Sequence, residues 1–224
     1  MSRRGVAAAL TAVAALTLAG CSSPGSDDSG SDGGAAGVVQ SGSGDEGPYA
    51  GMEIDPAYSL PSTTLTDADG EQTRVPDDLD APVRLFFYGY THCPDVCPLI
   101  MSDLALAVAR LPDDVADDVE VVLVTSDPAR DDPATMRAYL DRFDPDFSGL
   151  TGELDTIIEF ADGMGVPIVD GAKLPSGGYE VSHGAQVVGF VGDKGVVVWN
   201  ESSSTEDIAS DLAMLVDEAD SEDG

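Results

Sequence analysis

A run that is apolar but for Arg84, Val83–Gly89, leads through a short turn into two cysteines and two prolines: Phe86-Phe-Tyr-Gly-Tyr-Thr-His-Cys-Pro-Asp-Val-Cys-Pro98. A near-continuous apolar stretch is what a strand covered on both faces requires. Downstream, Cys97, Met101, Leu104, Val108 and Leu111 recur at spacings of 4, 3, 4 and 3, one stripe of an amphipathic helix. Pro94 and Pro98 fall near its first turn, where a missing N–H costs least. A buried strand therefore becomes a helix at Cys93 and Cys97. Two thiols at that spacing face the same way, and a helix N-terminus favours their thiolate forms. The pair can hold a soft metal or cycle through a disulfide.

The rest of the chain predicts a frame around this junction. Val119 to Ser126 reads as a second buried strand, and Asp127–Pro133 as a loop launching a helix with Met136, Leu140 and Phe143 on one face. Leu154 to Met164 reads as a helix closed by Gly165. Ala185–Val191 and Val196–Trp199 flank Gly192-Asp-Lys-Gly195, a hairpin signal. Ser204-Thr-Glu-Asp207 is a capping box opening a helix with Ile208, Leu212 and Leu215. Upstream, Thr63-Thr-Leu-Thr and Gln72-Thr-Arg-Val flank Asp67-Ala-Asp-Gly70, a further hairpin. From residue 83 the order is strand, helix, strand, one or more helices, strand, strand, helix. A βαβ unit followed by ββα, with a dithiol at the first strand-to-helix junction, resembles the thioredoxin arrangement. The expected fold is α/β and thioredoxin-like, with an N-terminal β-hairpin extension. Ligand sites in such open sheets lie beyond the strand C-termini, where Cys93 falls.

The ends of the chain read differently. Arg3-Arg4, an apolar stretch from Val6 to Leu18, and Leu18-Ala-Gly-Cys21 make an export signal, too short and alanine-rich for a membrane span. Leu-Ala-Gly-Cys resembles the bacterial lipobox, which implies cleavage of residues 1–20, lipidation of Cys21 and attachment to the extracytoplasmic face of the cell membrane. Residues 21–50 are Gly, Ser and Asp with little to bury, a flexible tether of about 30 Å root-mean-square span. That leaves 51–217 as one domain and 218–224 as an acidic tail expected to fray. The formal net charge of −32 argues against nucleic acid, whose phosphates need Lys and Arg. It fits either a solubility or high-salt adaptation, or attraction to a basic partner.

Once Cys21 is assigned to the lipid, Cys93 and Cys97 are the remaining cysteines. Thioredoxin-like redox motifs place two residues between their cysteines; here there are three. That separation is loose for a relaxed disulfide, though a frayed first turn closes it. A structural disulfide is the bland alternative in an exported protein, but it would restrain a very short loop. A two-thiolate site needs a third donor, and the chain has two histidines, His92 and His183. His92 adjoins Cys93, so its side chain diverges from the thiol and suits hydrogen bonding or tuning. His183 precedes the strand at Ala185–Val191, in a loop that faces the dithiol in a thioredoxin fold. An oxidoreductase places a cis-proline there, and this chain has no proline between Ser176 and Gly184. Two thiolates and an imidazole suit Cu(I), or Cu(II) with a weak fourth donor. Zn(II) also fits, but an open position would suggest catalysis, and no general base is evident. Met101 and Met164 read as core.

Tyr88-Gly-Tyr-Thr-His-Cys-Pro-Asp-Val-Cys-Pro98 resembles the signature of the Sco/SenC family of copper-binding, thioredoxin-fold cytochrome c oxidase assembly proteins. Ser126-Asp-Pro-Ala-Arg-Asp131, Phe147-Ser-Gly-Leu-Thr-Gly152 and Tyr179 to His183 resemble its further motifs, in order, over roughly 58–200. The resemblance implies that Cys93, Cys97 and His183 bind copper. It implies delivery of that copper to the dinuclear centre of a haem–copper oxidase, with a copper-receiving oxidase subunit as partner, or maintenance of that centre's thiols. The family usually has Asp before the histidine, and this chain has Ser182, so tuning of the imidazole is expected to differ. Asp127 and Arg130 are candidates for ordering the cysteine loop, or equally a turn and helix-capping pair.

Overall fold

Two parallel strands place the dithiol. Val83–Gly89 and Val119–Thr125 pair in register over their whole length, from Val83 opposite Val119 to Gly89 opposite Thr125. The structure, a computed structural model, describes residues 47–166, 168, 175–176 and 186–222. In chain order the elements are β1 (Met52–Ser59), β2 (Thr63–Asp67), β3 (Gln72–Val75), β4 (Val83–Gly89), α1 (Val96–Val108), α2 (Asp113–Ala116), β5 (Val119–Thr125), α3 (Pro133–Leu140), β6 (Ser148–Thr151), α4 (Leu154–Gly163), β7 (Val187–Val191), β8 (Lys194–Trp199) and α5 (Thr205–Glu222). The strands form one sheet in the order β1-β8-β7-β4-β5-β6-β2-β3.

Every residue of β4 is buried, including Arg84, whose guanidinium donates to the Leu79 carbonyl at 2.7 Å. Successive side chains alternate between faces. Leu85, Phe87, Val121 and Leu123 pack with residues of α1, α3 and α5. Phe86, Tyr88, Val122 and Val124 pack with Ile157 and Phe160 of α4 on the opposite side. The Phe86 ring meets those of Phe160 and Phe190 edge to face, at 5.8 and 5.5 Å between centroids. Helices thus cover both faces of a central sheet, the expected thioredoxin-like α/β arrangement.

The expected β2–β3 hairpin is present, and it extends the sheet at one edge by antiparallel pairing of β2 with β6. Two strands lie outside the expected order. β6 is four residues long and contains Gly149, so it carries little apolar signal; pairing with β5 and β2 makes it a strand. β1 contains Pro56 and shifts register against β8 between Glu53 and Tyr58, as an edge strand tolerates. Both short helical stripes overreach: α1 ends at Val108 before Leu111, and α3 ends at Leu140 before Phe143. Gly165, at φ 70, reverses the chain after α4 as anticipated. The final helix runs to Glu222 rather than fraying from residue 218, because Ala219 is buried against the core.

A buried carboxylate ties the start of the described chain to that helix. Asp211 accepts hydrogen bonds from the backbone N–H of Ala50 and Gly51 and from Trp199 Nε1, each at 2.8 Å. Gly51 must be glycine, since a Cβ there would lie 2.7 Å from Trp199 Nε1. Asp211→Ala strands three donors in the interior and is expected to cost about 2–4 kcal/mol in urea unfolding, with Asp211→Asn intermediate. An Asp211→Ala midpoint equal to that of the parent would refute this role for the clasp.

Candidate metal centre

The cysteine loop is built by the ends of β4 and β5. Because the strands are parallel and in register, the chain leaves Gly89 and Thr125 side by side. Ser126 N–H donates to the Gly89 carbonyl at 2.7 Å. The acidic turn after β5 then folds back over the β4 exit. Asp131, fully buried, takes Thr91 N–H at 2.9 Å, Thr91 Oγ1–H at 2.6 Å and Thr125 Oγ1–H at 2.7 Å. Its own carbonyl accepts from Thr151 Oγ1 of β6 at 3.0 Å. One carboxylate thus fixes the residue two positions before Cys93 to the neighbouring strand.

Beyond Thr91 the chain turns, with Cys93 N–H donating to the Tyr90 carbonyl at 3.1 Å. Asp95 caps α1 by accepting Val96 N–H at 2.7 Å. Cys93 therefore sits in the turn before the helix, and Cys97 lies in its first turn. Cys97 N–H points at Cys93 Sγ, 3.4 Å away, so this sulfur takes a free donor of the helix N-terminus. Both thiols are free. Cys93 is partly exposed and Cys97 is buried, with Leu104, Met101 and Tyr139 in the same cluster. Gly89 makes room for it: a Cβ there would lie 3.1 Å from Cys97 Sγ and 3.0 Å from Phe87.

Burial pushes the Cys97 thiol well above the ordinary thiol range, and its hydrogen bond with Cys93 adds to the rise. The backbone of Tyr90 acts in the opposite sense.

The other candidate residues divide. His92 is exposed, with Nδ1 at 2.9 Å from Thr91 Oγ1 and 3.6 Å from Asp131 Oδ1. Asp127 is fully buried and pairs through Oδ2 with the Arg130 guanidinium. Its other oxygen accepts Ser176 Oγ–H at 2.6 Å. Asp127 and Arg130 thus form a turn pair that holds Ser176, while Asp131 holds the cysteine loop. His183, Ser182 and Cys21 lie outside the described residues. Met101 and Met164 are core residues with no exposed surface. Among the described residues no helix is long and apolar enough to cross a membrane.

Sequence reasoning did not single out Thr91, Asp95 or Asp131. Asp95 had a signal, an N-cap residue before an apolar stripe. Asp131 had only its place at the end of the Ser126–Asp131 motif; lying beside Asp132 in an acidic turn, it gains its role from strand pairing.

The SCO1/SenC family matches residues 54–217. The chain belongs to this family. Protein sco1 of Schizosaccharomyces pombe is 38% identical over 90 residues, covering 40% of this chain and 34% of its own length. The copper-bound structure of Bradyrhizobium japonicum ScoI has a TM-score of 0.57 at 31% identity, over 70% of this chain and 99% of that one. Apo Sco1 of Thermus thermophilus has a TM-score of 0.62 at 29% identity, over 75% and 95% of the two chains. The chain spans between 34% and 66% of the length of the first three curated relatives it matches.

Exposure and proton affinity together set the order of thiol reactivity. Iodoacetamide near neutral pH should alkylate Cys93 about tenfold or more faster than Cys97, as read by peptide mass spectrometry over time. Asp131→Ala should narrow that gap by releasing Thr91. Equal rates in the parent chain would contradict the geometry.

Proposed function

We propose that this chain is a lipid-anchored copper-delivery protein. Cys93, Cys97 and His183 take up one copper and pass it to the copper-receiving subunit of a haem–copper oxidase, at the extracytoplasmic face of the cell membrane. The observation that carries the reading is the pair of free cysteines between the C-terminal end of β4 and the first turn of α1, one partly open and one buried, in a member of the SCO1/SenC family. Soft sulfur donors select Cu(I) over hard cations. The copper-bound ScoI structure, at 31% identity, supports the same cargo.

Strand pairing supports His183 as third donor. β7 begins at Val187 opposite Phe87, near the C-terminal end of β4, and Gln186 leads into it there. His183 is separated from Gln186 by two residues, a reach of about 10 Å at most. The lipid on Cys21 confines the domain to the membrane through the tether of residues 21–50. The partly exposed Cys93 suits handover by ligand exchange, because an incoming ligand reaches this sulfur first.

A second reading rests on the same sulfurs. Two free thiols with one half-exposed sulfur also suit a thiol–disulfide oxidoreductase that keeps the recipient's cysteines reduced. That activity requires both cysteines and not His183.

Metal analysis of the full-length chain, with its thiols reduced, should give one copper per chain. Cys93→Ser and His183→Ala should each lose it or bind far more weakly, and both should impair oxidase assembly. A His183→Ala chain that sustains full oxidase assembly would favour the oxidoreductase reading over delivery. Copper uptake should also release protons, because binding needs thiolates. With the Cys97 thiol pushed upward by burial, apparent Cu(I) affinity should keep rising with pH through and beyond the ordinary thiol range. An affinity that levels off below pH about 8 would show that Cys97 does not bind as a buried thiol losing its proton.

A further inference from the structure

Among the described residues, two large apolar side chains stand exposed, Leu99 at 65% and Leu106 at 54%. Both lie on α1, seven residues apart, so they share one face at about 10 Å along the helix axis. A lone exposed leucine needs no explanation, but a pair on a helix without a polar face does. Within Val96–Val108, only Ser102 and Asp103 carry oxygen in their side chains. Ser102 donates its hydroxyl to the Pro98 carbonyl at 2.7 Å. By contrast, α4 exposes Asp155, Glu159 and Asp162. A helix that is apolar all round is normally covered on both sides. The inner side of α1, with Ile100, Met101 and Leu104, meets the core, and the outer side is bare.

This bare face begins at the dithiol. Leu99 is two residues past Cys97, and Pro94 and Asp95, which follow the partly open Cys93, are exposed as well. Its border is acidic. Asp95 caps the helix start, and Asp103 lies four residues past Leu99 and three before Leu106. Asp103 Oδ1 accepts from Thr205 Oγ1 at 3.3 Å, which sets the first turn of α5, with exposed Glu206 and Asp207, against that border. Arg110 adds a cation beyond the far end. Charge selects the occupant. A second copy of the chain would set these carboxylates against one another, and a formal net charge of −32 adds to the repulsion. Anionic lipid headgroups meet the same repulsion. A protein face with an apolar patch bordered by Lys and Arg is complementary in both respects.

We infer that the outer face of α1, centred on Leu99 and Leu106, is the docking surface for the copper-receiving oxidase subunit, which meets it with an apolar patch bordered by basic side chains. This rests on the copper-delivery reading and adds to it how the recipient is seated. A recipient held on Leu99 lies beside Cys93, so the ligand it offers reaches the open sulfur first. Copper then moves by ligand exchange without change of oxidation state. The recipient's cysteine thiolates bind Cu(I) as the Cys93 and Cys97 sulfurs leave it, and these sulfurs take up the protons that the recipient's thiols release. A small apolar anchor with a charged border suits an encounter that forms fast and does not last.

The test loads the full-length chain with Cu(I) and follows transfer to the copper-free oxidase subunit of the same cell, in detergent, by metal analysis of the separated proteins. Leu99→Asn and Leu106→Asn, singly and together, place a polar side chain where the leucine is exposed. Thermal midpoint and copper stoichiometry of the chain should therefore match the parent. At low recipient concentration the double variant should transfer about tenfold more slowly. Added salt should slow the parent, and so should Asp103→Lys combined with Glu206→Lys, whereas Asp155→Lys on α4 should not. Should the double variant lose stability, the single variants and the charge pair carry the comparison. If the parent loads and passes copper and the variants pass it equally fast, the docking assignment falls while the delivery reading stands. Weaker binding of the double variant to phosphatidylglycerol vesicles in a Cys21→Ser background, with transfer unchanged, would assign the face to the membrane. A parent dimer that dissociates in the double variant, again with transfer unchanged, would assign it to a second copy. Either result overturns the docking assignment. A parent chain that takes up no copper, or holds it without passing it on, overturns both readings.

Discussion

The Asp131 carboxylate is the contact on which the dithiol site depends. It is fully buried, and it joins the exit of β4 to that of β5 by accepting from Thr91 twice and from Thr125 once. A buried carboxyl group is tolerated only when its oxygens are hydrogen-bonded, and these three donors meet that need. The donors come from two strands that meet only because their pairing is parallel and in register. The sheet therefore pre-forms the loop before any metal arrives. The Asp131 carbonyl, bonded to Thr151, extends the same tie to β6.

Below that loop the two cysteines sit in unlike surroundings. Cys93 is partly open, in a turn, and its sulfur takes the Cys97 N–H from the helix N-terminus. Cys97 is in the helix, packed into the core, and holds its proton tightly. One cysteine is open to solvent while the other is held in the core. Gly89 makes this possible, because a side chain there would press against Cys97 Sγ. The second buried carboxylate, Asp211, acts far along the chain. It takes the N–H groups of Ala50 and Gly51 and the indole of Trp199, and so ties the start of the described residues to the last helix.

Much of this was legible in the chain itself. The apolar run of β4, the stripe of α1, the glycine turn between β7 and β8 and the Ser204 cap each follow from local periodicity or turn chemistry, and each is found. The edge strands β1 and β6 were not legible, because one is interrupted by Pro56 and the other is four residues with a glycine. Neither becomes a strand until a partner supplies its hydrogen bonds. Asp211 did leave a trace, since it falls at helical spacing among Ile208, Leu212 and Leu215. An acid on an apolar stripe asks for a buried donor, but the donors come from the other end of the chain.

What the sequence determined by itself is the chemistry on offer: two thiols at a strand-to-helix junction, in a chain whose order of elements admits a thioredoxin-like sheet. Those features are local, and local periodicity and covalent spacing fix them. Only the tertiary structure decided that Asp131 rather than Asp127 holds the cysteine loop, that Cys97 is buried while Cys93 is open, and that Leu99 and Leu106 stand bare on the helix that starts at the dithiol. Each of these depends on which distant segments share a face or an edge. Burial, proton affinity and exposure are properties of the packed molecule, and residue order alone does not carry them.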